Sequence, residues 1–201
     1  MRTELKLLHG KFDTTFIYVM HEPNEAMAIA DRIVVMKEGV IQQVGTPEEL
    51  YFKPYNVFVA GFISKPQINF WETKITEQNG EVYINWGGTT IKLPENKAGK
   101  ARAYIGKKII AGIRPEDMFG MEVMENFDYP YPHLAIIDAE VKVREFLGDR
   151  TYLSCESENI PFSMRVLSMF DLPAQSGDKI KAGLAREKIY LFDKETEITI
   201  C

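Results

Sequence analysis

The sequence is poor in the residues that bind metals and cross-link chains. Among its 201 residues are two cysteines and three histidines. The cysteines, Cys155 and Cys201, lie far apart, and the sequence has no CxxC pair. This pattern favours neither a zinc site nor a disulfide framework, so we expect two reduced thiols.

Long apolar runs and an excess of positive charge are also missing. No apolar run approaches the roughly 18 residues of a membrane-spanning helix, and the first residues lack the apolar stretch of a signal peptide. We therefore expect a cytoplasmic protein. With 24 Lys and Arg against 29 Asp and Glu, the net charge is −5, which disfavours nucleic-acid binding by the molecule as a whole. The length predicts one or two domains.

The first 65 residues alternate between helix and strand patterns. Met1, Leu5 and Leu8 form the apolar stripe of a helix that Gly10 is placed to end, and no N-cap residue precedes it. We expect this helix to be part of a longer one, and the chain to be a fragment of a longer protein. The β-branched and aromatic run over residues 14–20 predicts a strand buried on both faces, as in a parallel sheet covered by helices.

Five further elements follow in this region, each marked by a local signal. The patterns predict a helix from Pro23 to Ala30, two strands around a turn at Glu38-Gly39, a helix after the N-cap Thr46, and a helix over residues 56–63. We place a domain boundary at Lys65-Pro66. The first 65 residues are therefore predicted to be α/β.

Beyond residue 66 the pattern is all-β, with short strands separated by glycine-containing turns. The predicted strands are EVYINW, TTIKL, KKIIAGI, EVKVREFL, RTYLSC, PFSMRVL, DKIKAGL and KIYLF. An internal repeat supports a barrel-like fold: residues 106–116 align with residues 177–187, with six identities in eleven positions. We expect about two copies of one small barrel-like unit, with chance similarity between Lys-, Ile- and Gly-rich strands as the alternative.

Two familiar motifs fail. The segment from His21 begins like the zinc-protease HExxH, but Glu25 stands where the second histidine is needed. A P-loop ending near Gly106-Lys107 has Ala101 in place of the first glycine and Lys108 in place of Ser or Thr. The stretch 92–108 carries six basic residues and one acidic residue; a solvated loop is the favoured interpretation, and an anion site is the alternative.

Several longer segments resemble a known family. Residues 17–36 resemble the switch-histidine region of ABC-transporter ATPases. Residues 45–51, Pro54, 58–63 and Asn69-Phe70 are similar to the carbohydrate-importer branch, of the maltose and glycerol-3-phosphate type. The β region resembles the C-terminal TOBE domain of that branch, a pair of OB-like units. Its signature residues are Gly112, Ile113, Arg114, Pro115 and Glu116 in one segment and Leu147, Gly148, Asp149, Arg150 and Thr151 in another.

The resemblance assigns His21 the role of switch histidine, which contacts the γ-phosphate of ATP and helps position the attacking water. It implies ATP and magnesium as cofactors of the intact subunit. Glu22 stands where the family usually has Asp, and Met20 and Pro23 replace commoner polar neighbours. The family's P-loop, glutamine loop, signature segment and metal-binding carboxylates have no counterpart in this sequence. We therefore expect this chain alone to be catalytically inactive and to bind no cofactor of its own.

The resemblance also implies an organisation and partners. Residues 1–65 would be the last part of a nucleotide-binding domain, and residues 66–201 a regulatory and dimerising TOBE domain. The partners would be a second copy of the chain, through the β domain, and the permease subunits of a sugar importer at the inner face of the membrane.

A free-standing OB-type module for an oxyanion or single-stranded nucleic acid is the alternative function. Phe70, Trp71, Tyr83 and Trp86 could supply stacking aromatics. However, residues 64–201 carry 18 basic and 21 acidic side chains, a balance that disfavours nucleic acid. Barrel core and interface is the favoured role for these aromatics.

Overall fold

The computed structural model describes Glu4, Leu7 and residues 14–121, 133–167 and 172–201. They form two compact units, one ending at Gln67 and one starting at Ile68. The N-terminal helix predicted from the sequence lies outside the described residues, apart from Glu4 and Leu7, which are both helical. Most of the described secondary structure is β-strand, with few helices.

The first unit contains the five elements predicted after residue 22. In chain order they are helix α1 (Pro23–Ile29), strands β1 (Ile33–Lys37) and β2 (Val40–Gly45), and helices α2 (Pro47–Phe52) and α3 (Val57–Ile63). The β1–β2 turn forms at the predicted dipeptide, with φ of 52° at Glu38 and 78° at Gly39. Positive φ at both positions is the geometry of the tight hairpin turns that match strand twist.

Helix α2 begins after the predicted cap Thr46, and α3 begins after a cap that the sequence analysis did not identify, Asn56. The Thr46 hydroxyl accepts a hydrogen bond from the Glu49 backbone N–H at 3.2 Å, and the Glu49 carboxylate accepts one from the Thr46 N–H at 2.9 Å, which completes a capping box. The Asn56 side chain caps α3 through the Val59 N–H at 2.9 Å. The helices then pack on one face of the hairpin, around a small core of Val35, Leu50, Val59 and Ile63.

The prediction of a buried strand over residues 14–20 is wrong. Residues 15–20 form neither helix nor strand, and the side chains of Ile17 and Val19 are 87% and 91% exposed. A strand buried on both faces needs hydrogen-bonded neighbours and covering layers. Among the described residues, β1 and β2 pair only with each other, so no strand offers this segment a partner.

The second unit is a β structure of three sheets. Its strands are β3 (Asn69–Lys74), β4 (Thr76–Gln78), β5 (Glu81–Trp86), β6 (Thr89–Lys92), β7 (Lys108–Ile113), β8 (Met118–Gly120), β9 (Leu134–Phe146), β10 (Arg150–Ser157), β11 (Ile160–Leu167), β12 (Lys179–Ala185) and β13 (Tyr190–Asp193). All pairs are antiparallel, in the orders β11-β10-β9-β12-β8, β13-β7-β3 and β4-β5-β6. Every strand predicted in this region is present.

The basic stretch 92–108 was predicted to be a solvated loop. The structure differs, because the stretch contains helix α4 (Glu95–Ala101) and a 3₁₀ turn, Arg102–Tyr104. The helix forms because Ala98 and Ala101 are buried in the core of the unit, at 1% and 0% exposure. Lys100 lies in the last turn, where the carbonyl ends of the helix favour positive charge.

The two copies of the internal repeat occupy matching places in the second unit. The repeated segments are β7 and β12, and each is followed by a 3₁₀ turn, Pro115–Asp117 or Arg186–Lys188. β7 pairs with β13, which follows the second copy, whereas β12 pairs with β8, which follows the first. The two pairings share one register, with Gly112 opposite Tyr190 and Gly183 opposite Phe119.

The residues just before these strands repeat the same hydrogen bonds. In the first copy, the Gly106 N–H donates to the Ile75 carbonyl at 2.8 Å, and the Ile75 N–H donates to Lys107 at 3.2 Å. In the second, the Gly177 N–H donates to Val141 at 2.8 Å, and the Val141 N–H donates to Asp178 at 2.9 Å. The similarity therefore extends from the strands to the preceding turns.

Aromatic side chains are central to the core of this unit. The rings of Trp71 and Trp86 lie 4.6 Å apart between centroids, and Phe162 meets Trp86 edge to face at 5.4 Å. Both indoles are buried. No helix in the described part of the chain is long and apolar enough to span a membrane.

Candidate functional site

His21 lies exposed at the junction between the extended segment 15–20 and helix α1. The next residue, Glu22, is the N-cap of α1, with an extended backbone at φ −102° and ψ 104°. The Glu22 carbonyl accepts hydrogen bonds from the N–H groups of Glu25 and Ala26 at 3.1 and 3.3 Å, and Pro23 is buried at the first helical position. The start of α1 thus fixes the backbone beside His21 while the imidazole remains accessible.

The Glu22 side chain does not cap its own helix. No capping hydrogen bond comes from it; its carboxylate forms an ion pair with the ammonium group of Lys65. Both side chains are about half exposed, at 50% and 45%. The pair joins the residue after His21 to the residue that follows α3 and Ser64.

The first signature segment runs from β7 into a 3₁₀ turn. Gly112 lies between Phe70 and Tyr190 on the neighbouring strands. A Cβ added at Gly112 would lie 3.1 Å from the Ile68 side chain and 3.2 Å from the Phe70 ring. This close approach explains a glycine at that position, since any side chain would have to displace its neighbours.

Arg114 and Pro115 of this segment are buried. Arg114 is 1% exposed, and its guanidinium carbon lies 5.6 Å from the centroid of the Tyr190 ring. The ammonium of Lys97 lies 5.8 Å from the centroid of the same ring. Two cations therefore pack against one aromatic ring, an arrangement that the quadrupole of the ring favours.

The sequence analysis missed Asp117, the last residue of this turn. Burial raises its pKa from 3.8 to about 6; Glu116 adds to the rise, whereas Lys188 and Arg114 oppose it. Lys188 is the counterpart of Asp117 in the second copy of the repeat. The alignment of residues 106–116 with 177–187 stops one residue short of this pair, so only extending the repeat could have identified it.

The second signature segment forms the turn between β9 and β10. The Leu147 N–H donates to the Arg150 carbonyl at 2.9 Å, and Gly148 adopts φ 89°, a conformation that favours glycine. The Arg150 guanidinium donates to the Asp149 carboxylate, which lowers the pKa of Asp149. Thr151 is buried, whereas Leu147 is 60% exposed at the tip.

The predicted site residues are divided between the two units. His21 belongs to the first unit, and both signature segments belong to the second. Within the second unit the two signature segments are linked by Arg165 of β11, which interacts electrostatically with both Asp117 and Asp149.

Thiol and metal chemistry find little support in the structure. Cys155 and Cys201 are free thiols, as expected, and burial raises the pKa of Cys155 to about 12. A thiol with a raised pKa is a poor nucleophile and a poor metal ligand. No group of three or more His, Cys, Asp or Glu residues suited to a metal ion occurs within the described ranges.

Of the four aromatics proposed for an OB-type nucleic-acid module, Phe70 and Tyr83 are half-buried, and the two tryptophans are poorly placed for stacking. Trp71 and Trp86 are 5% and 0% exposed, and the Trp71 indole N–H donates to the Asn85 carbonyl at 2.9 Å. Bases stack on exposed rings in basic grooves. These two tryptophans instead stabilise the core.

Comparison with known proteins relates the chain to one group. Residues 65–118 match the family model of the MalK OB fold domain. The chain is 39% identical, over 100% of its length, to the oligosaccharides import ATP-binding protein MsmX of Bacillus subtilis, of which it covers 53%. It is 38% identical, over 100% of its length, to the multiple sugar-binding transport ATP-binding protein MsmK of Streptococcus mutans, covering 54% of it. It is 35% identical, over 98% of its length, to the trehalose/maltose import ATP-binding protein MalK of Thermococcus litoralis, covering 51% of it.

These matches confirm the resemblance drawn from the motifs. The chain spans about half the length of the curated relatives it matches.

Proposed function

The chain is related to the ATP-binding subunits of carbohydrate ABC importers, and from that premise we propose that it forms the C-terminal part of such a subunit. The intact subunit would couple ATP hydrolysis to the uptake of a sugar. The observation that carries the proposal is the match of relatives over the whole chain, from the His21 region through the β unit.

In this proposal residues 1–65 are the end of a nucleotide-binding domain, with His21 as the residue that acts on the γ-phosphate. The exposed imidazole beside the start of α1 fits a contact to a terminal phosphate, because it can donate a hydrogen bond to a phosphate oxygen. When bound, the magnesium–ATP complex supplies the transferable phosphoryl group and part of the charge neutralisation. The phosphate cradle would have to come from residues outside this sequence, which has no P-loop.

Residues 66–201 would be a TOBE domain of two OB-like copies that exchange their last strand. Three observations support this organisation. The repeated segments form equivalent strands, β7 and β12. Each pairs, in the same register, with the short strand that follows the other copy. The preceding turns make equivalent hydrogen bonds. We propose that this domain regulates the subunit and holds two copies of it together.

The assembly in this proposal is a homodimer through the β domain that works with membrane permease subunits at the cytoplasmic face. A two-fold pair is the commonest closed assembly, and a stable contact should bury at least about 1,000 Å². A protein of residues 66–201 tests this by sedimentation at micromolar concentration. We expect a dimer; a monomer would place the interface elsewhere or remove it.

His21→Ala in a full-length subunit that contains residues 1–201 tests the catalytic role. We expect hydrolysis to be abolished while ATP binding persists, because the residue acts late, on the γ-phosphate. His133→Ala is the matched control, since it removes an equally exposed imidazole from the second unit. An His21→Ala variant that keeps most of the wild-type rate would leave His21 a structural residue and refute the proposal.

A further inference from the structure

Residues 15–20 form neither helix nor strand in the described structure, so no regular element fixes the chain just before His21. Their side chains are largely exposed. The position of His21 therefore depends on what holds the residues after it. The backbone after Glu22 is fixed by the first turn of α1, and the Glu22 side chain is held by Lys65.

Lys65 itself follows a buried part of the first unit. It follows α3, in which Val59 and Ile63 are 0% and 2% exposed. Beside it, Ser64 is 4% exposed, and its hydroxyl donates to the Pro66 carbonyl at 2.9 Å. Lys65 thus directly follows buried residues of the first unit. The chain after Lys65 leads to Ile68, where the second unit begins.

We infer that Lys65 is a positioning residue for His21: by binding the Glu22 carboxylate, it ties the histidine to the chain segment that leads into the second unit. This inference rests on the proposed function, because it assigns a regulator to the same histidine. It also gives a role to the glutamate that stands where the family usually has aspartate. The extra methylene of Glu22 lengthens the reach of the carboxylate, and the carboxylate reaches Lys65.

The expected effect is modest, because the ion pair is half exposed. Exposed pairs of this kind are worth up to about 1 kcal/mol, so losing the pair should reduce a quantity that depends on His21 position by about two- to five-fold. The effect should also disappear at high salt, which screens exposed charges.

The first test follows the His21 imidazole in this chain by NMR. Lys65→Met and Glu22→Gln should move the His21 ring signals in the same way, since each removes one charge of the pair. Combining them should add little, because the pair can be lost only once. Lys65→Arg should restore the wild-type signals, and in 1 M salt the wild type should match Lys65→Met.

The matched control removes another ion pair of similar exposure. Lys142 pairs with Glu140 at 2.8 Å in the second unit, with the two side chains 42% and 45% exposed. Lys142→Met should leave the His21 signals unchanged. Signals that are equal in wild type and Lys65→Met, or that move equally in Lys142→Met, would overturn the inference.

A full-length subunit separates this inference from the proposed function. Lys65→Met should lower the rate of ATP hydrolysis about two- to five-fold at an unchanged KM for ATP, and Lys65→Arg should restore it. If His21→Ala keeps its activity, the proposed function fails. If His21→Ala is inactive but Lys65→Met equals wild type, only the positioning role of Lys65 fails.

Discussion

The amide of Asn69 joins two strands that are 94 positions apart in the sequence. Its Nδ2 donates to the Ser163 carbonyl at 2.8 Å, and its Oδ1 accepts from the Ser163 N–H at 2.8 Å. Asn69 begins β3, is 8% exposed, and belongs to the Asn69-Phe70 pair that resembles the importer family. One side chain therefore provides both polar contacts between β3 and the middle of β11.

Asn69→Ala should lower the free energy of unfolding of the second unit by about 2–4 kcal/mol. The change removes both hydrogen bonds to Ser163 and a weaker one from Nδ2 to the Met118 sulfur at 3.3 Å. It leaves one donor and one acceptor of Ser163 without the amide that satisfied them. Each group left unsatisfied costs about 1–3 kcal/mol when buried. Because Ser163 is only half buried, water can replace part of the loss, so the upper end of the sum is not reached.

Urea denaturation followed by tryptophan fluorescence measures this effect selectively. Both tryptophans of the chain, Trp71 and Trp86, lie in the core of the second unit. Asn96→Ala on the exposed surface of α4 is the control and should change stability by less than about 0.5 kcal/mol. An Asn69→Ala variant that loses no more than this control would refute the assignment of Asn69 as a strand connector.

Two further predictions follow from local contacts. Thr46→Ala should destabilise the first unit by about 1 kcal/mol, because it removes the hydroxyl that accepts a hydrogen bond from the Glu49 N–H in the capping box. Helical circular dichroism followed through unfolding measures this change, and an unchanged unfolding midpoint would contradict the prediction. Burial raises the pKa of Asp117 to about 6, so this group binds a proton more tightly in the folded state than in the unfolded state. The contribution of Asp117 to stability should therefore rise as pH falls from about 6 towards 4. Asp117→Asn should remove this pH dependence and exceed the wild type in stability at pH 7; equal pH profiles would show that Asp117 is not the group responsible.

The elements that could be predicted from the sequence are those with local signals. The Glu38-Gly39 turn and the Thr46 capping box each depend on residues within four positions of one another, and both formed as predicted. Eight strands of the second unit were also predicted, because glycine-containing turns separate them, whereas β3, β4 and β8 were missed.

The elements that the sequence could not settle depend on distant partners. The run over residues 14–20 has the composition of a buried strand, but a strand exists only when another strand pairs with it. Helix α4 was missed because its basic surface masked the small buried face of Ala98 and Ala101. The exchange of β8 and β13 between repeat copies and the Glu22–Lys65 pair are tertiary contacts that no local pattern encodes.

We propose that these residues carry the switch histidine of a transport ATPase but not its phosphate cradle. Phosphate release with ATP and magnesium tests it most directly, on the chain itself and on a full-length subunit containing it, each against a heat-killed control. We expect release only from the full-length subunit, within the usual enzyme range of about 1 to 100 per second. Turnover in that range by the 201-residue chain alone, or none by the full-length subunit, would contradict the account.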